Sequence, residues 1–337
     1  MEVKLIGLDI AKRVFQVCGV DESGARIVSK RLRRGALLGF FAELSPTTVG
    51  MEACSTAHYW ARELMALGHR VRLLPPGYVR SYVWRNKTDA ADAAAICAAM
   101  GDARIHDVAV KSVDQQAVLG LHRARELLVR QRTMTGNALR HQLAEFGEIA
   151  PQGAAGLTRL RALAAAPRAL GLPPALAPAL TALLTQWASL DTQIRELEQE
   201  IVQWHRSNEV SRRLAAIPGI GPITASALAA SVGDAGRFRT GRQLAAWLGL
   251  TPREHSSGLK RRQGAISKRG DAYLRRLLVL GAHAVMRHRR NSDPWLVSLC
   301  GRRPTAVAAV ALANKMARTA WAVMAREETY RPQPAAA

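Results

Sequence analysis

The apolar positions of this chain change period partway along it. Up to residue 74 they come in short runs. Residues 3–9, 14–20 and 26–32 are apolar or β-branched, and Asp21-Glu22-Ser23-Gly24 is turn chemistry, which predicts three short strands. A helix is expected at about 35–44, a strand at 47–51, a helix at about 57–67 ending at Gly68, and a strand at 70–74 closed by Pro75-Pro76-Gly77. Antiparallel strands followed by strand–helix–strand predict a mixed α/β sheet. From Ser112 the period turns helical and stays so. Residues 115–146 contain no proline and read as a basic helix, with Arg123, Arg125, Arg130, Arg132 and Arg140 against Glu126 and Glu145. Residues 147–174 are rich in Gly, Pro and Ala and read as a linker with short helices. Leu176, Leu180, Leu183, Trp187, Leu190, Ile194, Leu197, Ile201 and Trp204 then alternate steps of four and three, a seam of about four heptads. That predicts a coiled coil, formed with the 115–146 helix or with another subunit. Ala-rich helices are expected at 222–231, 241–248, 271–288 and 304–326. The chain therefore divides at 1–111, 112–209 and 210–337 into an α/β part, a part of long helices and a helical C-terminal part.

Composition adds a partner to this outline. The 337 residues are 48% hydrophobic, enough for sizeable cores and too many for a disordered chain. Their net charge is +22. Such a surplus favours a polyanion, because each cation set on a phosphate releases counterions. Between Arg237 and Arg303, 16 Lys and Arg face only Glu254, Asp271 and Asp293, so more than half of the surplus sits there. The Ala-rich stretch 162–184 is broken by Pro167, Pro173, Pro174 and Pro178 and carries Arg168, which argues against a spanning helix. Met1-Glu-Val-Lys4 runs straight into a strand with no signal-peptide pattern. Cys18, Cys54, Cys97 and Cys300 are scattered without a close pair, which argues against structural zinc and a disulfide framework and fits a reducing cytosol.

Four acids stand where strands end or a helix opens. Asp9 closes Lys4-Leu-Ile-Gly-Leu-Asp9, Glu52 closes Thr48-Val-Gly-Met-Glu52, and Asp89 and Asp92 open a helix in Lys87-Thr-Asp89-Ala-Ala-Asp92. Acids from neighbouring strand ends and one helix face can gather two divalent ions, about 3.5–4 Å apart, around a phosphodiester. Magnesium suits such oxygen donors. Asp9 would bridge both ions and Glu52 would reach one. Ribonuclease-H-like folds cut phosphodiesters in this way. Each acid also has a plainer reading: a strand-end turn for Asp9, an exposed charge for Glu52, a cap and a first-turn acid for Asp89 and Asp92. Asp102 and Asp107 follow soon after and could replace one of the four.

The basic C-terminal part holds two further motifs. Leu214-Ala-Ala-Ile-Pro218-Gly219-Ile220-Gly221-Pro222-Ile-Thr-Ala225 resembles a helix–hairpin–helix motif, in which Gly219 and Gly221 would let backbone N–H groups meet a phosphate. Farther on, Ser256-Ser257-Gly258 is ringed by Lys260, Arg261, Arg262, Lys268 and Arg269. A serine there could attack a phosphate whose charge the cations offset. From the residues alone, a solvated loop that grips a nucleic-acid backbone is the stronger reading, because His255 is only a sequence neighbour and no base is assured.

Read in order, Gly7-Leu-Asp9-Ile-Ala-Lys12, Met51-Glu52-Ala-Cys-Ser55, Asn86-Lys-Thr-Asp89-Ala-Ala-Asp92-Ala93 and the stretch from Leu248 to Arg276 resemble the DEDD transposases of insertion-sequence family one-hundred-and-ten, the bridge-RNA-guided recombinases. His122-Arg-Ala-Arg125 and Asn137-Ala-Leu-Arg-His-Gln-Leu143 look like its eleven-eleven subgroup. The resemblance spans nearly the whole chain. It implies a RuvC-like domain whose Asp9, Glu52, Asp89 and Asp92 bind magnesium, two ions to a site. It implies a coiled coil for assembly and a helical transposase domain with a nucleophilic serine. The family pattern sets that serine before a glycine, which is Ser257 here, with Ser256 its neighbour. Also implied are a phosphoserine link to DNA, carboxylates and serine meeting across the subunits of a dimer to tetramer, and a structured guide RNA pairing with donor and target DNA. Arg123 and Arg125 would then meet nucleic-acid backbone. The setting implied is the bacterial cytoplasm, at the nucleoid and away from membranes. Two rivals remain: a metal nuclease or junction resolvase that uses water, and a nucleic-acid-binding assembly protein with no catalysis.

Overall fold

The structure is a computed structural model that describes residues 3–83, 88–166, 171–257, 262–289 and 293–331. It divides into two compact units, Met1–Val113 and Asp114–Ala337.

The first unit is built on five strands: β1 (Leu5–Asp9), β2 (Val14–Val20), β3 (Arg26–Arg33), β4 (Thr48–Glu52) and β5 (Arg70–Leu74). Their order is β3-β2-β1-β4-β5. The first three pair antiparallel, whereas β4 runs parallel to β1 and to β5. The expected mixed sheet is thus present. Its helices are α1 (Leu37–Ala42), α2 (Ala57–Ala66), α3 (Pro76–Val79) and α4 (Asp89–Met100). Alternation along the strands makes three layers. Ile6, Leu8, Phe15, Val17, Val49 and Met51 turn to one face and pack with Phe41, Trp60 and Leu64 of α1 and α2. Phe15, Leu8 and Met51 are fully buried, and each burial stabilises by roughly 1.5–3 kcal/mol. The other face carries α4, whose Ala93, Ile96, Cys97 and Met100 join Cys18 and Leu74. Gly7 permits this approach, because a Cβ there would lie 2.2 Å from the Ala93 carbonyl oxygen. Cys18 and Cys97, far apart in sequence, meet here: the Cys97 thiol donates to the Cys18 carbonyl at 3.1 Å, and both cysteines are free.

The second unit opens with α5 (Val113–Ala144), α6 (Gly153–Ala165) and α7 (Ala177–Ser207). Arg125 pairs with Glu198, Arg132 pairs with Asp191, and Gly136 lies under the Trp187 ring. One number rises as the other falls, so α5 and α7 run antiparallel, with ion pairs one heptad apart. Of the nine apolar residues in the α7 pattern, Leu180, Trp187, Leu190, Ile194 and Ile201 are buried. There follow α8 (Glu209–Ala215), α9 (Pro222–Val232), α10 (Gly241–Trp247), a hairpin of β6 (Pro252–Glu254) and β7 (Gln263–Ile266), and then α11 (Ala272–Arg289), α12 (Pro294–Arg302) and α13 (Thr305–Ala325). The sequence pattern missed the hairpin and α12. The core of this part is Ala-rich, with Ala225, Ala227, Ala282, Ala309 and Ala313 buried beside Leu228, Leu274 and Leu278. Among the described residues no helix is long and apolar enough to cross a membrane.

Candidate functional site

Strand direction gathers the first two acids. β1 and β4 are parallel neighbours with Leu8 opposite Met51, so Asp9 and Glu52 end adjacent strands side by side. Asp89 and Asp92 occupy the first turn of α4, which Thr88 caps by accepting the Ala91 N–H at 3.2 Å. Because α4 lies over Gly7, its first turn and Asp9 share one face of the sheet. Their charges are felt at Asp9. Burial first, then the carboxylates of Asp92, Asp89 and Glu52, push its carboxyl from the ordinary 3.8 up to about 6, against a lowering hydrogen bond from the Ile10 N–H. Burial, helped by Glu52 and Asp9, also raises the Cys54 thiol, which keeps it protonated beside the acids. Gln16, directly opposite Asp9, is a neighbour the sequence reading missed; only the strand register reveals it.

The four acids thus converge at electrostatic range. Among the described residues no three acidic, histidine or cysteine side chains stand close enough to grip an ion as they are. The donor set still fits magnesium in kind. It consists of hard carboxylate oxygens on separate elements, and a cation would relieve the mutual repulsion recorded at Asp9. The two substitutes are otherwise engaged. Asp107 takes a forked ion pair from Arg72 on β5, at 2.9–3.0 Å, and Arg72 also caps the Met100 carbonyl at 2.6 Å. Asp102 accepts from Arg104 at 2.8 Å and from the Tyr82 hydroxyl at 2.6 Å, and Arg104 first, then Tyr82, hold its carboxyl well below the usual range.

The serines sit on the β6–β7 hairpin. Ser256 is held on both sides of its hydroxyl: it donates to Glu254 Oε1 at 2.9 Å and accepts the Arg262 N–H at 3.1 Å. Ser257 is exposed, and among the described residues its hydroxyl has no hydrogen-bond partner. The three acids of this basic stretch all have structural partners. Asp271 caps α11 through the Tyr273 N–H at 2.8 Å, Asp293 caps α12 through the Trp295 N–H at 3.0 Å, and Glu254 holds Ser256.

The nucleic-acid residues expected from the sequence fall into different settings. Lys260 and Arg261 lie outside the described residues, while Arg262, Lys268 and Arg269 are exposed. Gly219 has φ +86°, and a Cβ there would meet Val285, the Gly281 carbonyl and Met316 within 2.9 Å, so this glycine packs the hairpin onto α11 and α13. Gly221 is the N-cap of α9, is exposed, and has open space where a Cβ would be. Arg125 is half-buried in its pair with Glu198, whereas Arg123 is exposed and reaches Gln116 at 3.2 Å.

Comparison with known proteins converges on one family. A family model for DEDD transposases, described as "Transposase", matches residues 6–147, and another, described as "Transposase IS116/IS110/IS902 family", matches residues 211–295. A Pseudomonas aeruginosa protein named "Probable family 20 transposase" is 49% identical over 98% of this chain and 100% of its own length. The "Transposase for insertion sequence element IS1111A" of Coxiella burnetii is 41% identical over 98% of this chain and 92% of its own. The "Transposase for insertion sequence element IS1328" of Yersinia enterocolitica is 41% identical over 95% and 96%.

Proposed function

This chain belongs to the IS116/IS110/IS902 family of transposases, and from that premise we propose that it cuts and rejoins DNA with two centres, a metal-binding carboxylate cluster and a serine nucleophile. The observation that carries the reading is the gathering of Asp9, Glu52, Asp89 and Asp92 where their charges meet at Asp9. The fold that presents them is read as RuvC-like, from a mixed five-stranded sheet with its first acid on the central strand. Those four acids would hold magnesium, two ions to a site, and the bound metal would supply charge stabilisation at the scissile phosphate. Asp9 is partly buried, and Gln16 beside it would offer an amide to a phosphate oxygen.

Ser257 is the nucleophile in this reading. Its Oγ attacks phosphorus, a P–O bond to one sugar oxygen breaks, and the leaving sugar hydroxyl takes up the proton that the serine gives up. The phosphodiester bond is exchanged for a phosphoserine diester, so rejoining needs no outside energy. The exposed Ser257 suits this better than Ser256, whose hydroxyl already serves Glu254 and Arg262. Arg262, Lys268 and Arg269 would balance phosphate charge, with Lys260 and Arg261 close by in sequence. Arg123 and the Gly221 N–H would hold backbone phosphates elsewhere. A structured guide RNA and a dimer to tetramer complete the reading. The net charge of +22 supports the RNA, and the family resemblance suggests both, while the buried part of the α7 seam packs within the chain.

The test is strand exchange by purified full-length protein with the RNA that copurifies with it, on DNA matched to that RNA. Asp9→Asn and Ser257→Ala should each lower exchange on the order of a thousandfold or more and leave DNA affinity within a few-fold. Undiminished DNA cleavage by Ser257→Ala, with no serine adduct in the parent, would favour hydrolysis by water at the carboxylates instead. Full exchange by Asp9→Asn would remove the carboxylate centre.

A further inference from the structure

The register of the sheet links Asp9 to its outermost strand. Asp9 lies opposite Gln16 on β2, and Gln16 lies opposite Arg31 on β3. Directly opposed residues in antiparallel strands share a face. The row beside it, Gly7, Cys18 and Ser29, lies on the face that α4 covers, because Gly7 abuts Ala93 and Cys97 reaches the Cys18 carbonyl. Asp9, Gln16 and Arg31 therefore face the same way as the first turn of α4. Arg33, two residues beyond Arg31 and opposite Val14, joins them.

The division of β3 by face is clear-cut. Val28 and Leu32 pack against the core under α1 and α2, and Lys30 on that same face lies over the Phe40 ring at 5.2 Å. Arg31 and Arg33, on the carboxylate face, are exposed, and among the described residues neither has an ion-pair or hydrogen-bonding side-chain partner. The backbone of Arg31 thus stands about 10 Å, or two strand spacings, from that of Asp9, with Arg33 two residues farther along the edge. Their backbones are about 6.8 Å apart along the strand, far enough for the two guanidiniums to meet different phosphates of one nucleic-acid strand.

We propose that Arg31 and Arg33 form a phosphate track along β3 that lays a DNA strand across Gln16 towards the Asp9 carboxylate. The track rests on the reading of the four acids as the place where that strand is cut. It differs from the plain role of cations on an edge strand, which is to deter pairing with another sheet. That role is indifferent to face, so Lys30 would serve it as well as Arg31. A phosphate track uses the carboxylate face only.

The face dependence gives the test. Full-length protein is titrated with a labelled mixed-sequence single-stranded DNA in metal-free buffer at several salt concentrations, where cleavage does not intervene. The double variant Arg31→Gln, Arg33→Gln should reduce the slope of log affinity against log salt by about 1.4, at about 0.7 for each phosphate contact. Lys30→Gln should leave the slope unchanged, and thermal melts confirm that all variants fold. An unchanged slope in the double variant overturns the proposal. An equal loss in Lys30→Gln overturns it as well, and so does a loss seen with an RNA of the same sequence and not with DNA. These outcomes do not depend on catalysis. An active Asp9→Asn protein would remove the cutting centre and leave the slopes as measured.

Discussion

At the scale of single residues, Asp9 is held where its own charge is unwelcome. Its carboxyl is raised from 3.8 to about 6, so the folded chain binds that proton more firmly than the unfolded chain does. The stability it contributes is full below pH 3.8 and is lost as pH rises through 6. Asp9→Asn should therefore melt higher than the parent at pH 8 in metal-free buffer, by about 1 kcal/mol once solvent screening of this partly exposed group is allowed for. Added magnesium should raise the melting temperature of the parent far more than that of the variant. A variant that melts below the parent would show that the acids are not in mutual repulsion. Gly7 yields a second expectation. A methyl group there meets the Ala93 carbonyl at 2.2 Å, so Gly7→Ala should cost about 2–3 kcal/mol in chemical unfolding and displace the turn that bears Asp89 and Asp92. Much at this scale was legible in the sequence. The acids stood out because each follows an apolar run or opens a helix. Gln16 was not legible, since its place beside Asp9 depends on which residues face each other across β1 and β2. Gly219 reads in the sequence as a glycine that admits a phosphate, whereas its contacts with Gly281 and Met316 come from helices more than sixty residues away.

Among the elements, the helices around α5 depend on a buried polar contact. His122 on α5 reaches Tyr273 Oη of α11 at 2.9 Å and Ser226 Oγ of α9 at 3.1 Å, and its ring is 1% exposed. Burial first, then Arg125, lowers it from 6.5 to about 4, so it is neutral in the folded protein near neutral pH. The unfolded chain takes up this proton first as pH falls. The stability is therefore complete above 6.5 and is lost progressively towards 4. Between pH 7 and pH 5 the loss should be about 2 kcal/mol in denaturant unfolding, and His122→Gln should show much less of it. An equal pH dependence in the variant would assign the effect elsewhere. Long elements were easy to foresee here, because α5 and α7 carry their period over many turns. The β6–β7 hairpin was hidden for the opposite reason. Its strands are three and four residues long and exposed, so no apolar alternation marks them. The nine residues of α12 follow directly on the Asp293 cap and add too little periodic pattern to stand apart from their neighbours.

Across the whole molecule, charge and chemistry are divided between two compact units. The carboxylates belong to Met1–Val113, and the serine hairpin with its cations belongs to Asp114–Ala337. The chain belongs to a transposase family, and the central proposal is that both centres act on one DNA in one reaction. The covalent link tests this most directly. Full-length protein is incubated with magnesium, its copurifying RNA and matched DNA, then quenched in denaturant, digested with protease and nuclease, and mapped by mass spectrometry. A nucleotide joined to the peptide bearing Ser257, absent from both Ser257→Ala and Asp9→Asn, is the predicted result. DNA cleaved by the parent protein with no nucleotide on any serine peptide would contradict it.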